Sequence, residues 1–289
     1  MNKVPLIVTT DWLQEKLEDP NLRLLDATTY LKNTDNGAPE LWSGKETYEE
    51  GHIPGAVFAD LLNDLSDPDG AFRFTIPSRE RFVKKMEEIG VGEEGTYVVI
   101  YDQGYATVGS PIIASDWASR LAWQLRYEGF DNVAVLEGGF AKWLDEGRPV
   151  SAEVKSYPKA TFTGKRQPEM IVTKEDVQKA IEDDNVIIIN SLSEEDFKNG
   201  RIPGSCNVPF GNHADEKTKE LHDKATLKEN FEKVGALDPD KKVITYCGGG
   251  IAATWNALLL NKLGQKNVAV YDGSMAEWTS EKVLPLETD

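Results

Sequence analysis

The sequence predicts an α/β protein made of two tandem copies of one domain, each a mostly parallel sheet flanked by helices. Three observations predict it: an ordered internal repeat, short runs of Val, Ile and Leu, and helical patterns between those runs. Ile7-Val8-Thr9 returns as Ile171-Val172-Thr173, 164 positions later, and Gln14 is answered by Gln178. Leu24-Leu25-Asp26 pairs with Ile188-Ile189-Asn190, and His52-Ile53-Pro54-Gly55-Ala56 with Arg201-Ile202-Pro203-Gly204-Ser205. Val98–Asp102 pairs with Val243–Cys247. Asn132-Val133-Ala134-Val135 with Gly138 and Trp143 pairs with Asn267-Val268-Ala269-Val270 with Gly273 and Trp278, now 135 positions apart. The falling offset means that the first copy carries extra loop residues.

Each element follows in order. Leu22–Ala27, Tyr97–Asp102 and Val133–Leu136 in the first copy are nearly continuous apolar runs, as buried parallel strands are. Val186–Asn190, Lys242–Tyr246 and Val268–Tyr271 are their counterparts in the second. Ser78–Ile89, Ile112–Tyr127, Thr226–Val234 and Ala252–Leu263 have helical patterning. The stretch 149–168 holds Pro149, Pro158, Gly164 and Pro168 without periodicity and reads as a linker. The expected domains are therefore 1–148 and 169–289, in keeping with 289 residues at about 150 per domain.

Composition narrows the function. A net charge of −17 argues against nucleic acid and anionic membrane as partners, since both need a basic footprint. Seven Trp, 9 Tyr and 10 Phe supply apolar bulk for globular cores. Two Cys and three His, without C-x-x-C or H-E-x-x-H, predict no metal site and fit a reducing compartment. The start, Met1 to Val8, has too short an apolar run for a signal peptide, and no run of 18 apolar residues exists. These readings predict a cytoplasmic protein without a membrane span.

The chemistry concentrates in Val243-Ile244-Thr245-Tyr246-Cys247-Gly248-Gly249-Gly250-Ile251-Ala252-Ala253. A buried strand runs into a cysteine, three glycines and a helix. Ligands of open α/β sheets bind outside the carboxyl ends of strands. Glycines leave backbone N–H groups free to turn inward, and the helix start adds its positive dipole end. Such a cradle favours a sulfur anion, whether thiolate or persulfide. Gly248-x-Gly250-x-x-Ala253 also fits a dinucleotide fingerprint, but only 17 residues follow Asp272, too few to complete that domain. A cysteine-phosphatase loop needs Arg where this chain has Ala253. Cys206 has no glycine loop and reads as structural. His213 and His222 lie in a polar segment and read as solvent-exposed.

Gly51–Ala56, Gly200–Gly204, Glu137-Gly138-Gly139 with Trp143, the Cys247 loop and Tyr271–Ser274 with Trp278 together resemble the tandem-domain rhodaneses. That family includes thiosulfate and 3-mercaptopyruvate sulfurtransferases, and the resemblance covers nearly the whole chain. It implies a rhodanese-like fold in both copies, with the active cysteine, Cys247, only in the second; Asp102 stands at its place in the first. It implies an active loop from Cys247 through Gly248, Gly249, Gly250, Ile251 and Ala252, and no cofactor. The reaction it implies is covalent: Cys247 takes a sulfane sulfur from a donor and yields it to a thiol or cyanide. A thiol-bearing protein such as thioredoxin is a further possible acceptor.

Departures from the family pattern bear on the donor. Mercaptopyruvate-type members have Ser or Thr where this chain has Gly249, and Asp-x-Arg where it has Asn190-Ser191-Leu192. Arg201 is the nearest candidate by motif position to replace the missing carboxylate clamp. His52, at the matching position of the first copy, aligns with a family histidine proposed to move protons. That proposal needs a loop hydroxyl, which Gly249 lacks. The alternative to an enzyme is a persulfide carrier or binding module fed by a partner enzyme.

Overall fold

The computed structural model describes residues 3–34, 37–280 and 283–289. Met1 and Asn2, at the head of the stretch read above for a signal peptide, lie outside them. The chain divides into two compact units: Met1–Gly70, Ile76–Gln167 and Ala214–Leu221 form the first. Ala71–Thr75, Pro168–His213 and His222–Asp289 form the second.

The first unit runs β1 (Ile7–Val8), α1 (Thr10–Gln14), β2 (Leu22–Asp26), β3 (Thr29–Lys32), β4 (Glu40–Ser43), α2 (Lys45–Glu50) and β5 (Val57–Phe58). It continues with α3 (Arg79–Glu88), β6 (Tyr97–Tyr101), α4 (Asp116–Tyr127), β7 (Val133–Leu136) and α5 (Gly139–Asp145). The second unit holds β8 (Ile171–Val172), α6 (Lys174–Ala180), β9 (Val186–Asn190), α7 (Glu194–Asn199), β10 (Cys206–Asn207) and α8 (Lys224–Glu232). It ends with β11 (Lys242–Tyr246), α9 (Ala252–Leu263), β12 (Val268–Tyr271) and α10 (Ser274–Trp278).

Both units build the same five-stranded sheet. The first has the order β5-β2-β6-β7-β1 and the second β10-β9-β11-β12-β8, with every pair parallel. The repeat therefore reaches the level of topology, and it continues into side-chain bonds. Trp143 and Trp278 are both fully buried, and their indole N–H groups donate to Pro149 O (2.7 Å) and Pro285 O (2.9 Å). The amide of Ile53 donates to the Tyr101 hydroxyl and that of Ile202 to the Tyr246 hydroxyl, at 3.2 and 3.1 Å. The pairs recur because each indole fills the same space beside the sheet, and a buried indole N–H must find an acceptor.

Two insertions distinguish the first copy. His52 lies 26 positions after Asp26, whereas Arg201 lies 11 after Asn190; the difference is the antiparallel β3–β4 hairpin. Asn132 lies 30 positions after Asp102, whereas Asn267 lies 20 after Cys247; the difference is a loop between β6 and α4. That loop displaces the expected start of the helix from Ile112 to Asp116. Ile112 O accepts from Ala106 N (3.0 Å) and Ala114 N donates to Gly104 O (3.2 Å), so these residues close the loop instead of the helix. In the second copy the helix expected from Thr226 begins earlier, at Lys224. Asp223 caps it by accepting from Ala225 N and Thr226 N, both at 2.9 Å.

The stretch expected as a linker runs over the first unit. Tyr157 accepts from Leu24 N (3.1 Å) and donates to Gly55 O (2.9 Å), and Phe162 is buried. Gly129, at φ +97°, is needed beneath it: a Cβ there would stand 2.2 Å from the Lys165 backbone.

Trp278 sits in the core of the second unit with Ile188, Ile244 and Tyr271. Trp278→Ala leaves a cavity in that core and should cost about 3–5 kcal/mol. Urea denaturation followed by circular dichroism checks this, and an unshifted midpoint would contradict it.

Candidate active site

Strand β11 is buried and central in its sheet, and it delivers Cys247 to the edge where α9 begins. Cys247 is 2% exposed. Its carbonyl accepts from Met275 N (3.0 Å), and the carbonyl of Gly248 accepts from Ala276 N (2.9 Å). Its own amide donates to the Ser274 hydroxyl at 3.1 Å, and that hydroxyl donates to Tyr271 O at 2.8 Å. Ser274 is fully buried and holds φ +49°, a left-handed conformation that costs a non-glycine residue about 1–2 kcal/mol. Its counterpart in the first copy is Gly139, at φ +55°. The serine thus bears a strain that glycine would avoid, and its hydroxyl holds the cysteine's peptide.

The loop turns at Gly250, at φ +80°, and Ile251 caps α9. Ala252 and Ala253 lie in the first turn, where amides have no carbonyl of their own helix to bond. Thr245 and Thr254 brace this turn from beneath: their hydroxyls donate to Ala253 O (2.9 Å) and Ile251 O (2.7 Å). The structure therefore gathers Cys247, Gly248, Gly249, Gly250, Ile251 and Ala252 into one strand-to-helix turn.

The first copy shows what such a turn holds. Asp102 stands at the end of β6, fully buried. One of its oxygens accepts from Gly104 N (2.8 Å) and the other from Ala118 N (2.9 Å), in the first turn of α4. Burial pushes its carboxyl up to about 7 against the pull of these amides. A carboxyl group of the chain itself thus occupies the cradle of the first copy.

The mouth of the Cys247 loop is apolar. A Cβ on Gly248 would lie 4.0 Å from Leu192 Cδ2, and one on Gly249 would lie 3.9 Å from Phe74 Cδ2. Leu192 is fixed by its amide, which donates to Asn190 Oδ1 (2.8 Å), and by its carbonyl, which accepts from Asn207 Nδ2 (2.9 Å). Phe74 is buried and holds φ +65°. It belongs to Ala71–Thr75, which packs with the second unit. The neighbouring Arg73 is exposed. Phe74 was not legible as a site residue, because it lies far from the loop in sequence and carries no motif.

Arg201 and His52 are engaged elsewhere. The Arg201 guanidinium pairs with Glu287 (2.7 Å) and Asp289 (2.8 Å) and lies over the Phe197 ring. Its backbone forms a bridge with Glu287. His52 is fully buried; Nδ1 faces Tyr48 O (2.6 Å), Nε2 faces Glu153 O (3.2 Å), and the ring stacks on Tyr48. Its backbone forms the equivalent bridge with Ser151. The two motif positions thus do the same work in each copy, tying down the chain that follows α5 or α10, rather than presenting charge to a substrate.

The expectation that His213 is exposed is overturned. His213 is fully buried and stacked on Phe231, because this polar segment folds inward onto α9. Its Nε2–H donates to Asn256 Oδ1 (2.8 Å), while Asn256 Nδ2 donates to Ser191 Oγ (3.0 Å) and Val208 O (2.8 Å). His222 is half-buried. Cys206 is half-buried; its thiol donates to Ile188 O at 3.4 Å, and burial pushes it up to about 11, so it stays protonated. No cluster of metal-ligating side chains occurs among the described residues.

The model of the rhodanese-like domain matches residues 9–146 and again 173–281. The chain belongs to the rhodanese family. Among its relatives is a thiosulfate/3-mercaptopyruvate sulfurtransferase of Arabidopsis thaliana, 31% identical, covering 97% of this chain and 86% of the relative. The 3-mercaptopyruvate sulfurtransferase of Escherichia coli is also 31% identical, covering 97% of both. The crystal structure of SseA from Escherichia coli, described as a 3-mercaptopyruvate sulfotransferase with the rhodanese fold, superposes with a TM-score of 0.78 at 30% identity. It covers 94% of this chain and 99% of that one. The chain is a sulfurtransferase with two rhodanese-like domains.

Two predictions follow from the geometry around Cys247. Ser274→Gly relieves the left-handed strain but leaves the Cys247 amide without its partner, worth about 1–3 kcal/mol when buried. Sulfur transfer should fall between about 5- and 100-fold while the fold persists; an unchanged rate would show that the hydroxyl is dispensable. Burial also pushes His213 down to about 4. The unfolded chain takes up its proton near 6.5, so this neutral histidine stabilises the fold fully above that pH and less as pH falls toward 4. The stability difference between wild type and His213→Gln should therefore rise from pH 4 to 6.5, by at most about 1.4 kcal/mol per unit, and level off above it.

Proposed function

We propose that Cys247 is the nucleophile of a two-step sulfur transfer and that the Gly248–Ala252 turn holds the sulfur it receives. The observation that carries this reading is the position of Cys247. It ends a buried strand inside a three-glycine turn at a helix start, where the first copy seats a carboxyl group. With thiosulfate, the thiolate attacks the outer sulfur, the S–S bond breaks and sulfite leaves. With 3-mercaptopyruvate, the C–S bond breaks and the departing enolate takes a proton to become pyruvate. Either route leaves a Cys247 persulfide. A thiolate or cyanide acceptor then attacks the outer sulfur and returns the Cys247 thiolate. Backbone dipoles aimed at the turn stabilise negative charge on sulfur throughout. The domain at 169–289 is catalytic on this reading, and the one at 1–148 lacks the nucleophile.

The donor's charged end needs a partner other than Arg201. Arg73 is our candidate, since it is exposed and adjoins Phe74 at the mouth of the turn. A guanidinium there suits a carboxylate or a sulfonate-like group. The apolar lip of Leu192 and Phe74 favours a second reading, a persulfide carrier loaded by a partner enzyme and slow with small charged donors. On either reading the cytoplasm is the compartment we assign, because it keeps thiols reduced, and a protein thiol such as thioredoxin can be the acceptor. No helix among the described residues is long and apolar enough to cross a membrane.

Sulfur transfer from thiosulfate and from 3-mercaptopyruvate to cyanide and to a dithiol tests the proposal. Cys247→Ser should abolish transfer for every pair, and Cys206→Ser should retain it; the reverse outcome rejects the nucleophile. Arg73→Ala should raise KM for both donors about 10- to 100-fold, the worth of a charge-assisted bond, with little change in kcat. Leu192→Arg should lower KM for 3-mercaptopyruvate. Persulfide on Cys247 after incubation with a desulfurase, without turnover of either small donor, would favour the carrier.

A further inference from the structure

The two insertions of the first copy have no counterpart in the second, which builds the same sheet without them. The fold therefore does not require them. They meet each other: Val108 N, in the loop after β6, donates to Leu31 O of the β3–β4 hairpin at 2.8 Å. Together with α5 they border an open cleft of about 640 Å³. Tyr30 lines it from the hairpin, Gln103, Tyr105 and Val108 from the loop, and Phe140 and Leu144 from α5. That volume lies within the range of small-molecule sites, about 300–1,000 Å³.

The walls specify the ligand. Three aromatic rings face the cleft, and Trp42 stacks on Tyr30 at 5.4 Å to hold one of them in place. Val108 and Leu144 are 43% and 48% exposed, an apolar rim of the kind soluble surfaces seldom leave open. No lining residue is charged, so an ionic group inside would go unpaired. Gln103 Nε2 donates to Tyr105 O at 2.7 Å, which fixes the amide orientation. Its Oε1 is buried, out of reach of a bound molecule.

We propose that this cleft of the first domain is a binding site for an uncharged aromatic molecule. The ring stacks among Tyr30, Tyr105 and Phe140. The site is independent of Cys247, and it gives the insertions a function that the sheet does not.

Saturation-transfer NMR on the full chain tests it with 2-naphthol, naphthalene and 2-naphthalenesulfonate. 2-Naphthol should bind saturably with a sub-millimolar Kd, and the sulfonate at least about tenfold more weakly. Tyr30→Ala, which removes one stacking ring, should weaken 2-naphthol and naphthalene alike, each about fivefold. Val108→Asp, at the exposed rim, should remove binding without altering sulfur transfer, and Cys247→Ser should leave binding intact. Absence of saturable 2-naphthol binding, or equal affinity in Val108→Asp, overturns the proposal. A concentration-dependent dimer that Val108→Asp abolishes also overturns it, since the rim would then seat a second copy of the chain.

Discussion

A strand that runs straight into a helix within a few residues must turn its backbone N–H groups toward one small volume. That constraint organises the Cys247 turn; in the first copy a longer loop intervenes before α4, yet amides converge on one residue there as well. The first turn of a helix has amides without carbonyl partners, and a tight glycine-rich approach adds more. Those amides need an acceptor. In the first copy it is the carboxyl of Asp102, whose two oxygens take amides from the loop and from α4. In the second copy the residue at that place is Cys247, followed by three glycines. The two cradles differ in the residue at the strand end and in the loop that follows it.

The surroundings of Cys247 are rigid for a reason that follows from this. A nucleophile acts only if its anion meets the amides at the right distance, and Ser274 accepts left-handed strain to hold the cysteine's own peptide. Beneath the turn, threonine hydroxyls close the backbone of α9, and the His213–Asn256–Ser191 network ties α9 to the strand end at Asn190. The bonds of Asn256 to His213, Ser191 and Val208 join three separate segments at one buried point. The mouth, by contrast, is lined by Leu192 and Phe74, which contribute shape and exclude water but offer no charge. The backbone of the turn and the side chains at its mouth thus come from different segments of the second unit.

Duplication made divergence possible. The cysteine turn lies in the second copy, while the first carries a hairpin and a loop beside its filled cradle. Those additions are anchored to each other and to α5, and their apolar faces meet around a cleft. The positions of His52 and Arg201 show the conservative side of the same history. Different side chains at matched places both secure the chain that follows the last helix of their own copy.

By itself the sequence determined the duplication, the parallel sheets and the cysteine turn, because these depend on local periodicity and on residues adjacent in the chain. Val243 to Ala253 reads as strand, nucleophile, turn and helix without reference to anything distant. Helix starts were less legible, since a cap such as Asp223 or a loop closure such as that of Ile112 outweighs the apolar pattern. Only the tertiary structure decided which side chains face the turn. Phe74 reaches Gly249 from a segment more than a hundred residues away in the chain, and no spacing rule joins them. It also decided that Arg201 pairs with Glu287 and Asp289, and that His213, in a run of polar residues, is buried against Phe231. Charge and burial are properties of what packs around a residue. Where the partners lie far off in sequence, only the folded chain brings them together.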